Sequence, residues 1–254
     1  MMREQTLLKL KAMQLNGMAK AYEDQLSIAD AQTLPFDDRL GLLVDREETE
    51  RFDRRYQGRL RAAKLREKAA IEDLDFASAR GLDKSVILSL ASGNWIEGKQ
   101  NILITGPTGA GKTYMACAFA HKALQLGYTS RYVRLPRLLQ EIQIARAEGR
   151  YLNILAGLAR VDVLLVDDWG LAPLSGEQRR DFLELVEDRY GSKSLLMTSQ
   201  LSTDKWFDVI GDATIADAIM DRIIHNSHKL ELKGPSMRQE KAKSPKATMK
   251  KKKD

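Results

Sequence analysis

Apolar positions Leu8, Ala12, Leu15, Ala19, Tyr22 and Leu26 recur at alternating steps of four and three. That spacing predicts an amphipathic helix over residues 6–27, weakened at Gly17. Pro35 opens a second helix with Phe36, Leu40 and Leu43 on one face and Asp37 and Asp38 near its start. A third spans about 50–69, striped by Phe52, Tyr56, Leu60 and Ala63. Residues 71–81 read as an extended connection and 83–92 as a short helix. The pattern then changes to continuous apolar runs separated by helical ones. Strands are predicted at 101–105, 130–134, 163–166, 194–198 and 228–232, with helices at 114–126, 136–148, 152–159, 175–191 and 215–224. Such alternation predicts an α/β fold: a parallel sheet flanked by helices, behind a small helical N-terminal domain. Strand order is not legible from periodicity.

The first apolar strand runs into Gly106-Pro107-Thr108-Gly109-Ala110-Gly111-Lys112-Thr113, which fits G-x-x-x-x-G-K-[ST] at every fixed position. Glycines let the backbone turn its N–H groups toward a polyphosphate at a helix N-terminus. Lys112 is placed to reach the β- and γ-phosphates, and the Thr113 hydroxyl to ligate Mg²⁺. A second landmark is Val163 to Val166 followed by Asp167 and Asp168. Carboxylates at the C-terminal end of a buried parallel strand emerge where such sheets place their ligands. Asp167 is the candidate Mg²⁺ residue and Asp168 the candidate for orienting the attacking water. Ser199 and Gln200 end the next strand on the same side, and either is a candidate for contact with the γ-phosphate or the water.

Charge sharpens the partner question. From Lys233 to Asp254 nine Lys or Arg face Glu240 and Asp254, a balance of +7, so everything earlier sums to −1. A second basic stretch covers residues 51–68, with eight Lys or Arg against Asp53 and Glu67. Two separated basic stretches favour a nucleic-acid partner over a solvated helix face and a solubilising tail. Arg54, Arg55, Arg59 and Arg61 are DNA-binding candidates in the third helix. Arg137, Arg146 and Arg150 are candidates further on, although salt bridges to Glu141 and Glu148 are the ordinary explanation for such residues. The readings open for the N-terminal module are DNA binding through the third helix and packing against a partner protein or another subunit. One cysteine, Cys117, and three histidines make a disulfide framework or a metal cluster improbable. No apolar run is long enough to span a membrane, which leads to the expectation of a cytoplasmic protein.

The phosphate loop, Val-Asp-Asp-Trp-Gly at 166–170, Thr-Ser-Gln at 198–200, Ala-Asp-Ala-Ile-Met-Asp-Arg at 216–222 and Gly-Pro-Ser-Met-Arg at 234–238 together resemble the IstB transposition helper ATPases. These are AAA+ P-loop proteins similar to the helicase loader DnaC. The resemblance implies that Gln200 occupies the sensor 1 position, Arg222 that of an arginine finger reaching a neighbouring subunit, and Arg238 that of sensor 2. Without it, Arg222 reads as a helix-end salt bridge and Arg238 as part of the basic tail. Asp168 departs from the glutamate of many AAA+ proteins. The sixteen residues after Arg238 are too few for a full C-terminal lid.

The resulting expectation has a helical N-terminal module at 1–69, an AAA+ ATPase domain at 70–238 and a basic tail at 239–254. Its cofactors are ATP and Mg²⁺. Its partners are duplex DNA, the transposase of the same insertion sequence and further copies of the chain, with nucleotide at subunit borders and no membrane. ATP hydrolysis would control assembly on target DNA. The alternatives are a DnaC-like helicase loader, a small-molecule kinase on the same phosphate loop, or a DNA-binding protein that binds ATP without useful turnover.

Overall fold

In the computed structural model, which describes residues 2–76, 81–234 and 236–237, the chain divides into two compact units between Arg61 and Ala62. Among the described residues the first contains three α-helices, but not with the breaks that periodicity predicts. The 6–27 pattern is split into α1 (Met2–Ala12) and α2 (Asn16–Ser27), with Gln14 between them at φ 59°. The cause lies thirty residues away in the sequence. Glu47 is buried, and its carboxylate accepts the N–H groups of Gly17 at 2.7 Å and Met18 at 3.2 Å. These are donors that a helix start leaves without an internal partner, so Glu47 fixes a new N-terminus there. Gly17 is required by contact, because a Cβ on it would stand 2.6 Å from the Arg46 carbonyl oxygen and the Glu47 Cα.

Conversely, the predicted second and third helices are one, α3 (Phe36–Ala63). Residues 44–49 contain neither glycine nor proline, and Arg51 pairs with Glu47 one turn earlier at 2.7 Å.

The second unit begins at Ala62. Ile71–Asp73 forms a 3-10 turn where an extended connection is expected, with Ile71 buried. Then come α4 (Lys84–Ala91), capped by Asp83, and the short α5 (Asn94–Glu97). Next are β1 (Asn101–Thr105), α6 (Lys112–Gln125), β2 (Ser130–Arg134), α7 (Leu135–Ala147), α8 (Tyr151–Ala159) and β3 (Val163–Trp169). The unit closes with α9 (Gly176–Arg189), β4 (Ser194–Ser199), α10 (Trp206–Ile210), α11 (Ala213–Ile224) and β5 (Ser227–Glu231). A capping box between Ser175 and Gln178 opens α9.

All neighbouring strands are parallel, in the order β2-β3-β4-β1-β5. Successive residues of a strand face opposite sides, so the sheet sorts its apolar residues into two cores. Ile102, Ile104 and Leu165 pack with α4 and α6 on one side. Leu103, Leu164 and Val166 pack with α7, α9 and α11 on the other, where Trp169 stacks on Phe182 at 4.6 Å. Beneath the strand starts, the buried Arg189 donates to the carbonyls of Leu158 and Ser194 at 2.6 Å, and burial lowers its guanidinium to about 10. Among the described residues no helix is long and apolar enough to cross a membrane.

Candidate functional site

The sheet order places β1 beside β4 and β4 beside β3, so the ends of these three strands meet at one edge. From β1 the chain enters the phosphate loop, and α6 begins at Lys112. Gly106 (φ 144°) and Gly109 (φ 83°) hold backbone conformations that other residues rarely adopt. They also lie under the chain that follows β5. A Cβ on Gly106 would stand 2.3 Å from the Leu232 carbonyl oxygen, and one on Gly109 would stand 2.1 Å from the Ser236 hydroxyl. The Met237 N–H donates to the Gly109 carbonyl at 3.0 Å.

Lys112 donates from its Nζ to the carbonyls of Gly106 and Pro107, both at 2.8 Å, which holds its charge at the mouth of the loop. The Thr113 hydroxyl donates to Asp167 at 2.9 Å, so the two predicted metal residues are in contact. Asp167 is only 1% exposed. Its carboxylate also accepts from the Tyr132 hydroxyl at 2.8 Å and from the Thr198 hydroxyl, and the Arg66 guanidinium lies 3.6 Å away. Burial, followed by the bond to Asp167, pushes the Tyr132 phenol well above its ordinary value and keeps it a donor.

Asp168 is turned differently. The ladder between β3 and β4 shifts register between Val166 and Trp169, and Asp168 sits in the shift at φ 64°, in the left-handed region. Its N–H donates to the Thr198 hydroxyl at 3.2 Å, and its carboxylate accepts from Arg134 Nε at 2.5 Å. The Gln200 side-chain oxygen accepts from the Thr108 hydroxyl at 2.6 Å, joining the end of β4 to the phosphate loop. Ser199, the other candidate there, is buried and donates to the Trp169 carbonyl at 2.9 Å, which turns it into the fold. A cavity of about 670 Å³ opens over this edge, walled by the loop with Arg66, Arg134, Asp168, Gln200 and Met237.

The remaining candidates lie elsewhere. Arg222 sits at the opposite edge of the sheet, near the start of β1, where Asn101 donates to the Ile223 carbonyl at 3.1 Å. It pairs with Glu187 at 3.0 Å. It is therefore not brought to the phosphate loop of its own chain. Arg238 and the 239–254 tail lie outside the described residues.

In α3, Arg54, Arg55 and Arg61 are exposed and Arg59 is half-buried. Arg137 is exposed on α7. Arg146 lies over the Tyr151 ring at 3.8 Å and pairs with Asp181 and with Glu177 at 3.2 Å. Arg150 pairs with Glu148. Sequence reasoning missed Tyr132, Arg134, Thr198 and Arg66. The two-residue step from Tyr132 to Arg134 carried a signal, since it puts both on one face of β2.

The family described as IstB-like ATP binding protein matches residues 8–245. The chain belongs to this family. An insertion sequence ATP-binding protein of Sinorhizobium fredii is 45% identical over 238 residues, covering 94% of this chain and 97% of its own. Among solved structures, DnaI superposes with a TM-score of 0.57 at 21% identity, over 65% of this IstB-like chain and 92% of its own. The DnaC helicase loader does so with a TM-score of 0.55 at 18% identity, over 67% and 100%. These likenesses establish the AAA+ P-loop fold. The span matched to the IstB-like family includes the phosphate loop, the paired aspartates and most of the helical first unit.

Proposed function

We propose that this IstB-like protein binds and hydrolyses ATP with Mg²⁺ and that its subunits assemble on duplex DNA to assist the transposase of an insertion sequence. The contact between Thr113 and Asp167 beneath the phosphate loop carries the ATP reading. A hydroxyl and a carboxylate side by side are hard oxygen donors, the set Mg²⁺ takes while keeping several waters. When bound there, the metal would neutralise charge developing on the phosphates. The loop amides, Lys112 and the α6 N-terminus hold the phosphate groups. Asp168, released from Arg134, orients the attacking water, and Gln200 meets the γ-phosphate side of the cavity. Arg238 acts on the nucleotide of its own subunit.

Arg222 is at the far edge of the sheet, so its contribution is to the nucleotide of a neighbouring copy. ATP then favours assembly and hydrolysis favours release. In this reading 1–69 is a DNA- or partner-binding module, 70–238 the ATPase domain and 239–254 a basic tail. Their Lys and Arg residues bind the DNA backbone with little sequence preference and strong salt dependence. The name of the Sinorhizobium relative supports the link to an insertion sequence.

Sedimentation on duplex DNA with ATP and Mg²⁺, with ADP, and with the Arg222→Ala protein tests the assembly. Large complexes are expected with ATP alone and are lost in the variant. A monomer under every condition overturns this reading, and assembly confined to single-stranded DNA favours a helicase loader instead.

A further inference from the structure

The segment between α3 and the ATPase core sends a cation into the edge of the sheet. After Ala63, which is fully buried, Lys64 takes φ 50°, a left-handed conformation unusual for lysine, and the chain turns out of the helix. Arg131 of β2 pins this turn by donating to the Ala62 carbonyl at 3.0 Å, and Leu65 packs against the core. Arg66 comes next. Its guanidinium is 3.6 Å from Asp167 Oδ2, the same oxygen that accepts from Tyr132 at 2.8 Å and from Thr113 at 3.2 Å. A carboxylate this deeply buried needs a compensating positive charge, and three hydroxyls supply dipoles only.

We propose that Arg66 is an internal counterion that stands in for the divalent cation at Asp167 and thereby sets how tightly the site takes metal. The inference rests on the reading of Asp167 as a metal residue. Arg66 is 42% exposed on its side chain and lines the nucleotide cavity, so it can withdraw without unpacking the core. Two cations against one carboxylate oxygen repel each other, and the metal must displace the guanidinium to gain full hold of Asp167. Arg66 is thus a positioning residue. It holds the Asp167 carboxylate in place beside Thr113 before metal arrives, and it weakens metal binding in doing so.

The test measures Mn²⁺ binding to the full-length protein in the presence of ADP by electron paramagnetic resonance, together with the affinity for fluorescent ADP with and without metal. Arg66→Ala is expected to tighten Mn²⁺ roughly five- to tenfold, and to favour ADP more in the presence of metal than in its absence. It should lower the melting temperature of the metal-free protein and not that of the Mn²⁺–ADP complex. Arg66→Lys keeps the charge and should stay close to the wild type.

Unchanged Mn²⁺ affinity in Arg66→Ala, with the wild type binding metal normally, overturns the inference alone. Equal weakening of ADP affinity with and without metal overturns it too, by making Arg66 a phosphate contact. Failure of the wild type to bind Mn²⁺ with ADP overturns the underlying metal-site reading instead. If the alanine variant fails to fold, Arg66→Gln takes its place with the same expected outcomes.

Discussion

Replacing Arg134 with glutamine should speed basal ATP hydrolysis rather than slow it. The Arg134–Asp168 ion pair measures 2.5 Å, yet its side chains are 52% and 21% exposed, so solvent screens much of the attraction. Pairs of that exposure contribute about 0.2–1 kcal/mol. If Asp168 must leave Arg134 to orient water, the pair suppresses the competent state by the same amount, at most about fivefold in population. Arg134→Gln should therefore raise turnover at saturating ATP and Mg²⁺ up to about fivefold, with a melting temperature within about 4 °C of the wild type. Raising ionic strength should narrow the gap, because screening loosens the pair in the wild type and has nothing to loosen in the variant. A phosphate-release assay at low and high salt measures both effects. A fall of tenfold or more, with ADP affinity and melting temperature intact, would refute the reasoning and make Arg134 part of the catalytic machinery.

Other positions offer independent checks. Lys112→Ala should weaken ATP binding by about a hundredfold, the scale of losing charge-assisted bonds to phosphate, in calorimetric titration; unchanged affinity would remove the phosphate loop as the nucleotide site. Gly17→Ala should destabilise the α2–α3 crossing by about 1–3 kcal/mol through overlap with backbone, read as faster amide exchange across residues 16–27; unchanged exchange there would refute the contact argument. Asp162 accepts from Lys193 at 2.6 Å and from the Thr129 hydroxyl at 2.7 Å. Burial pushes its carboxyl up, but these bonds together hold it below the ordinary value. A lowered carboxylate stabilises the fold fully above its unfolded pKa, about 3.9, and loses that contribution as pH falls through the folded value. The stability gap between wild type and Asp162→Asn in urea should accordingly be complete at pH 7 and close below about pH 4; a gap that widens in acid would contradict it.

What could be read in advance was local in the chain. The phosphate loop and the apolar run ending at Asp167 each declare themselves within a few residues, and each is where it was expected. The break at Gln14 was hidden because the residue that enforces it, Glu47, lies thirty positions on in a different helix. The continuity of α3 was hidden because two favourable patterns, each with its own stripe, gave no sign that the stretch between them was helical as well. Around Asp167 the obstacle was strand order. Only when β2 lies beside β3, with Arg134 opposite Asp167, do Tyr132 and Arg134 become neighbours of the paired aspartates. Arg66 needed more still, since its position depends on a left-handed lysine that composition does not foretell.

The strand order also sets a timetable for synthesis. β1 is the first strand to leave the ribosome, yet its partners are β4 and β5, the last two. The first pair that can zip up is β2 with β3, which leaves Ile102, Leu103 and Ile104 waiting with both edges open. At translation speeds of about 5–20 residues per second, more than a hundred residues must follow β1 before β5 is made, a delay on the order of ten seconds. Throughout that interval the nascent chain carries an apolar strand with neither of its strand neighbours in place, the situation that recruits chaperones or seeds aggregation. Nucleotide capture is correspondingly a late event, since the strand ends beneath its pocket come together only after β4 has been made.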